Sequence, residues 1–543
     1  MVRPYLEQTG GKLNNDANIF TGGLNTYMDK AFLESNQMPY VMNLTMRQPP
    51  CMETRPFRLS LATYFGGTYP FSEKNILNMF MDSEIGYYLI VNDNGIAKLE
   101  LYRDNGGTWE IVPLGSLGSI DLQYYFCHCW NATAHYLYVM NELGKYKYTI
   151  GGSLEPIEDD IYGIPEFHKG RLFIANPDTR VVTFSALYDF DNFDTEPSDD
   201  PLDNDYSVLA GDFKVTNAIG DVVGMKSFDD KLYVFCKNSM HLLYGSTPDI
   251  SLPNSFQLVD LNNGIGAYSN RCITVGSDYL FWLGNDRQVY QHTGSYTYMI
   301  SRPTEKGTGG IDNLFNYSYI GDTPQMCATS SRLYFNVAVS AQTYHQPKNN
   351  VLLVYDMYNK IWWAEDGEFT SIAEDRNEPA NATLFMAKPN GDVLYETIVG
   401  AGGYVDEVYD FEQNKIVSQP IKYVFQTRAY GADGTDMRKT ISDVWFQARA
   451  NAEVYLGDLW TAKTHWDALP WDDDSQLAGY VKIGELKYRT QAKNVTNYDA
   501  ENSEQQRAIV PKMYGQRVNA FSVVVTGEGK AEFYLMKRNW RVS

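Results

Sequence analysis

Basic residues are scarce in this 543-residue chain: 45 Lys and Arg stand against 67 Asp and Glu, a formal net charge of −22. That balance argues against a tight grip on nucleic acid. A duplex carries one negative charge per roughly 1.7 Å, and its binders neutralise it with clustered Lys and Arg. The excess fits solubility by self-repulsion, and equally an acidic channel wall along which DNA slides without sticking. Cysteine is also sparse: Cys51, Cys127, Cys129, Cys236, Cys272 and Cys327 are too few for a disulfide framework. They read as reduced thiols of a chain made in a cytoplasm. No run approaches the roughly 18 apolar residues of a membrane span. The opening Met1-Val2-Arg3-Pro4-Tyr5-Leu6-Glu7 lacks the charged-then-apolar layout of a signal peptide.

What the chain has is β-forming material. Aromatics make up 14% of it, 41 residues being Tyr, and the 43 Gly gather at turn-like positions. The length exceeds one compact core, so two or three domains are expected, or one large repeat array. Residues 1–55 read as a polar N-terminal arm with the breakers Gly10-Gly11, Gly22-Gly23 and Pro49-Pro50, and with a short helix over 29–38. Residues 56–414 repeat one texture: an apolar strand, a Gly/Asn/Asp turn, a second strand. Tyr87-Tyr-Leu-Ile-Val91 turns at Asn94-Gly95 into Ala97-Lys-Leu-Glu-Leu101, and Lys231-Leu-Tyr-Val-Phe235 turns into Met240-His-Leu-Leu-Tyr244. Arg332-Leu-Tyr-Phe335 and Thr383-Leu-Phe-Met-Ala387 open later copies. The units recur irregularly, at about 35 to 60 residues, which is the period of four-stranded propeller blades. The expectation is an all-β chain with a β-propeller of six or seven blades. Residues 415–543 read as a separate β-sandwich-like domain, interrupted by a polar insertion over 487–506.

Candidate sites are few. Asp104-Asn-Gly106-Gly-Thr108-Trp109 resembles the Asp-box hairpin turn of sialidase-like propellers. There Asp caps the turn, Gly supplies a positive φ and Trp packs beneath, so the motif is structural. An acidic stretch holds Asp189, Asp191, Asp194, Glu196, Asp199, Asp200, Asp203 and Asp205. It reads as a surface loop, and its spacing does not match an EF-hand. Cys127-His128-Cys129 with His135 lacks the spacing of structural zinc. In a strand the two thiols share one face and His128 takes the other. Arg171, Arg180, Arg271, Arg287, Arg302 and Arg332 show no spacing that marks a sialidase-type cluster. No nucleophile elbow or Walker A motif occurs, and Gly307-Thr-Gly-Gly310 reads as a flexible loop. No catalytic, cofactor or metal site is expected.

Several strings together resemble a known family. Gly22-Gly23-Leu24-Asn25-Thr26 is similar to the start of phage tail propeller proteins, and Asn43-Leu44 and Arg55-Pro56 follow at the family's distances. Phe57 departs from the Gly expected there. Arg171-Leu-Phe-Ile-Ala175 leading into Val182-Thr-Phe-Ser-Ala-Leu-Tyr-Asp189 resembles the family's central signature. The blades at Lys231–Gly245 and Ile265–Phe281 also match, although Arg287 stands where Gly is usual. The family comprises nozzle and packaged-DNA stabilisation (hub) proteins of short-tailed bacteriophages. The resemblance implies a non-enzymatic virion tail protein, made in the host cytoplasm and forming a hexamer below the portal and adaptor. It further implies contacts with other tail proteins and passage of duplex DNA without sequence-specific binding. The competing expectation is a tail receptor-binding or glycan-processing propeller.

Overall fold

The computed structural model describes residues 14–196, 205–305, 307–312, 314, 324–339, 349–375, 383–396, 404–430, 439–458, 477, 479–487, 505–509, 516–518 and 520–542. Secondary structure in these residues is almost wholly strand. The strands form seven blades of a propeller and one further ten-stranded sheet.

The innermost strands of blades 1 to 7 are Asn75–Asp82, Tyr125–Trp130, Ile164–His168, Val222–Phe228, Ile273–Val275, Gln325–Ala328 and Ser371–Glu374. Blades 1 to 5 are four-stranded antiparallel meanders in sequence order. The second strand of each blade reads as an unbroken apolar run for a physical reason. It lies mid-blade with a neighbouring blade against each face, so both sides of the pleat are buried. Leu232-Tyr-Val-Phe-Cys236 is buried at all five positions, as is Leu333-Tyr-Phe-Asn-Val337. Apolar clusters fill the gaps between blades: Leu99 with Leu137, Cys129 with Leu172, Phe173 with Val234, Phe235 with Trp282.

Turn chemistry fits the hairpins. Asn94 and Gly95 take φ of 54° and 86°, and Asp229 and Asp230 take 49° and 62°. These left-handed pairs match the twist of two-residue hairpins. Arg287 holds φ at 65°, a conformation Gly adopts without strain.

Blade 7 closes the ring with a strand from far upstream. Arg58–Ser60 pairs with Val393–Glu396, and Val405–Asp410 and Lys415–Pro420 extend the same sheet. The propeller sheet therefore reaches Pro420, a few residues past the expected boundary. Blade 6 likewise gains Gly23–Leu24 and Gln37–Met38 beyond its outer strand. The expected N-terminal arm, residues 1–55, is thus woven in where it is described, supplying strands to blade 6 and to the ten-stranded sheet, while the closing strand of blade 7 begins just after it. No helix forms over 29–38. Asp29 accepts from the Ala31 N–H at 2.8 Å and Gln37 from that of Glu34 at 3.0 Å, side-chain bonds that favour turns over helix.

The C-terminal region is built on two long antiparallel strands, Lys439–Asp458 and Phe521–Val542. Three register shifts interrupt their pairing, and such bulges bend strands. Phe425, on the neighbouring strand Lys422–Gln426, meets Phe533 edge to face at 5.0 Å. Tyr40–Met42 and Cys51–Thr54 complete this sheet. Its core runs without a break into blade 6.

Where these parts meet, charges are buried. Arg55 grips Asp406 through both terminal nitrogens, at 2.5 and 3.0 Å, and donates from Nε to Asn43 Oδ1 at 3.0 Å. Arg58 reaches Glu365 at 2.5 Å and the Asp366 carbonyl at 2.7 Å. Arg332 lies 3.7 Å from Glu396. Asn43 takes φ of 60°, donates to the Lys422 carbonyl and accepts from the Asp366 N–H. Ser60 and Tyr69 both donate to Asp392.

Two outcomes follow from this cluster. Arg55→Met strands Asp406 without its cation, and its expected cost is about 3–5 kcal/mol, read from denaturant midpoints. Asp406→Asn with Arg55→Met should recover part of the loss. The second outcome concerns Glu396, which is pushed from 4.5 up to about 7, first by burial and next by the Glu365 carboxylate, against Arg332 and Arg58. The folded state then holds more protons than the unfolded between pH 4.5 and about 7, so this residue subtracts stability as pH rises through that window. Glu396→Gln should remove that decline. Parallel pH–stability curves for the two proteins would refute the assignment.

Candidate functional site

The motifs singled out from the sequence prove to be fasteners. Asp104 caps its turn by accepting from the Gly107 N–H at 2.7 Å, and the Asn105 N–H bonds the Thr108 carbonyl at 2.9 Å. Gly106 holds φ at 66°. Trp109 stacks on Tyr64 at 4.7 Å and packs on Tyr87, tying blade 1 to the segment that follows the closing strand. Arg171 is fully buried and donates to the carbonyls of Ser185, Leu209 and Ser207. Gly307–Gly310 is docked, not loose. The Gln37 amide donates to the Thr308 carbonyl, and a Cβ on Gly309 would meet the Leu24 carbonyl at 1.9 Å.

In the acidic stretch, Asp191 pairs with Lys147 and accepts from the Tyr138 hydroxyl at 2.8 Å. Asp194 and Asp205 accept from the backbone N–H groups of Glu196 and Ser207, each two residues on. Asp189 sits in a bridge with Ala186. Asp199, Asp200 and Asp203 lie outside the described residues, as does most of 487–506. Among the described residues no group of three His, Cys, Asp or Glu converges as a metal site.

All six cysteines are buried free thiols. Cys127 and Cys129 face inward with sulfurs 3.7 Å apart, while His128 turns outward to His135, Nε2 to Nδ1 at 3.0 Å. The arginines do not gather. Arg180 lies 3.9 Å from Asp221, Arg302 pairs with Asp312, and Arg332 faces Glu396.

The seven innermost strands enclose a central cavity of about 370 Å³. Its wall is polar on one arc. Lys226 lies 3.3 Å from Glu166, which also accepts from the Ser227 N–H at 2.9 Å. Arg271 Nη2 donates to Gln325 Oε1 at 2.8 Å and to the Thr370 carbonyl at 3.3 Å. Gln325 is itself fixed, accepting from the Ile372 N–H and donating to the Ile372 carbonyl. Burial lowers the Arg271 pKa, and it pushes the Tyr125 hydroxyl up to about 12 against the pull of Arg271. Sequence reasoning did not find this arc. Its residues come from separate blades and carry no common spacing.

The fold and its cavity define a seven-bladed β-propeller closed by an N-terminal strand. No family model and no curated protein matches the chain. Solved structures similar to it are propellers. One is a catalytically inactive virginiamycin B lyase from Staphylococcus aureus with quinupristin, at 12% identity and a TM-score of 0.37, covering 63% of this chain and 99% of that one. Another is YCF48 bound to D1 peptide, at 14% and 0.34, covering 61% and 94%. A third is BamB from Moraxella catarrhalis, at 11% and 0.33, covering 60% and 84%. These likenesses concern the fold alone.

The Asp104 turn is expected to act on stability only. Trp109→Ala should cost about 2–4 kcal/mol by lost packing, and Asp104→Ala about 1 kcal/mol by lost capping, both read by thermal unfolding. Equal costs would mean that the ring does not anchor the hairpin.

Proposed function

We propose that the chain is a structural subunit of a phage tail, a ring-forming nozzle or hub protein that extends the DNA channel below the portal and adaptor. It helps retain the genome and then release it. The observation that carries this reading is what the resembling residues do. Asn43, Arg55, Arg171 and Gly23 close the ring, cap buried carbonyls or bring backbones together. A shared pattern made of fasteners suits a family whose task is to hold shape.

In this reading the DNA path runs between subunits. The propeller's own cavity has the volume of a small-molecule site and cannot take a duplex. Six chains, each of formal charge −22, would surround that path with like-signed charge. Repulsion of the phosphates then favours sliding over sticking. Head-to-tail contacts close such a ring. The segments over 187–206 and 487–506 are the candidate gates.

The mass of the protein in solution, alone and with the portal and adaptor, tests the reading, together with electron microscopy of any ring. A six-fold ring on the tail axis is the expected result. A monomer or trimer that never joins that axis would overturn it and turn attention to receptor or glycan binding. Deletion of 187–206 or of 487–506 should alter DNA retention in assembled particles, and unchanged retention in both deletions would remove the gate.

A further inference from the structure

The central cavity holds a cation that the fold leaves without a counter-charge. Four other arginines of the core face a carboxylate or spend donors on carbonyls: Arg55 on Asp406, Arg58 on Glu365, Arg332 on Glu396, Arg171 on three backbone oxygens, while Arg538 lies over the Tyr430 ring. Arg271 has no carboxylate within ion-pair distance among the described residues. Its Nη2 is committed to Gln325 and Thr370, its Nε is buried without a partner, and its Nη1 makes no hydrogen bond. The residue lines the cavity, so Nη1 is the donor left open to it. A guanidinium held this way, in a protein with a large acidic excess, is a costly arrangement unless something completes it.

We propose that the propeller's central cavity binds a small organic monocarboxylate, with Arg271 as its charge partner. Three observations fix the class. The volume, about 370 Å³, suits a small molecule. The wall supplies one uncommitted cation only, because Lys226 already faces Glu166 at 3.3 Å. The same wall carries Glu166, Glu374 and Asp375, whose field penalises a second negative charge on the ligand. A phosphate dianion is therefore disfavoured, and one carboxylate matches the single open nitrogen, Nη1. The neutral Tyr125 ring and the side chains of Ile273 and Met326 offer apolar wall to the rest of the molecule. Gln325 holds the guanidinium in place by accepting from it while tied to blade 7 on both sides of its amide. The site is internal to one chain, so it stands or falls independently of ring assembly.

The test is calorimetric titration of the full chain with benzoate, acetate, benzyl alcohol and inorganic phosphate, followed by a structure with 4-bromobenzoate. Benzoate should bind saturably at one site per chain, more tightly than acetate, and the neutral alcohol and phosphate should not. Arg271→Met should weaken benzoate by about tenfold or more, the worth of a charge-assisted hydrogen bond. The bromine signal should lie in the central cavity of the unaltered protein, a readout that does not depend on the variant folding. No saturable binding of either carboxylate, phosphate binding as tight as benzoate, full affinity in a folded Arg271→Met protein, or bromine located elsewhere would each overturn the proposal.

Discussion

The ring depends on the buried salt bridges of Arg55 and Arg58. These two residues flank the point where the chain leaves the C-terminal sheet and enters the propeller, and their partners come from blades 6 and 7. The last blade of this propeller is closed by a strand from far upstream, Arg58–Ser60. Burying charges there carries a desolvation penalty that hydrophobic substitutes would avoid. What charge adds is direction. A guanidinium fork accepts one geometry of carboxylate, so the closing strand is held in one register against Val393–Glu396. Glu396 shows the tension in this arrangement, since Glu365 and burial both oppose its ionisation.

Closure is made by residues near position 58, and the described residues before them are used at the edge of the ring and beyond it. Tyr40–Met42 and Cys51–Thr54 pair into the C-terminal sheet, while Gly23–Leu24 widens blade 6. Asn43 joins the two parts, bonding Arg55, the Asp366 N–H and the Lys422 carbonyl at once. The propeller and the C-terminal sheet share one core as a result. A rigid joint of this kind suits a subunit that must transmit load, and the proposed tail role asks for that.

The cavity follows from the number of blades and the size of the side chains on the inner strands. Residues such as Phe80, Phe126 and Met326 line it. That separates two ideas that acidic composition alone runs together: a channel through the propeller, and a lumen between copies of it. The first has no room for a duplex. It has room for a small anion, and Arg271 is placed to meet one.

The sequence by itself determined the class of fold and its repeat. Residues such as Leu232-Tyr-Val-Phe-Cys236 read as buried strand because each blade is packed on both faces, and that pressure acts on consecutive residues. Asn94-Gly95 and Asp104 through Trp109 read as turns because left-handed φ and capping are local demands. The inward Cys127 and Cys129 were legible from the two-residue period of a strand. Tertiary structure alone decided the rest: that residues 14–60 are woven in and do not hang free, that Arg58 finds Glu365 across more than 300 positions, and that Arg271 is left open on the axis. These are long-range pairings, and no local preference encodes which distant partner a charge or an edge strand meets. The contrast has one physical root: periodicity and turn chemistry act between near neighbours, whereas ring closure joins residues whose only common feature is where the backbone has brought them.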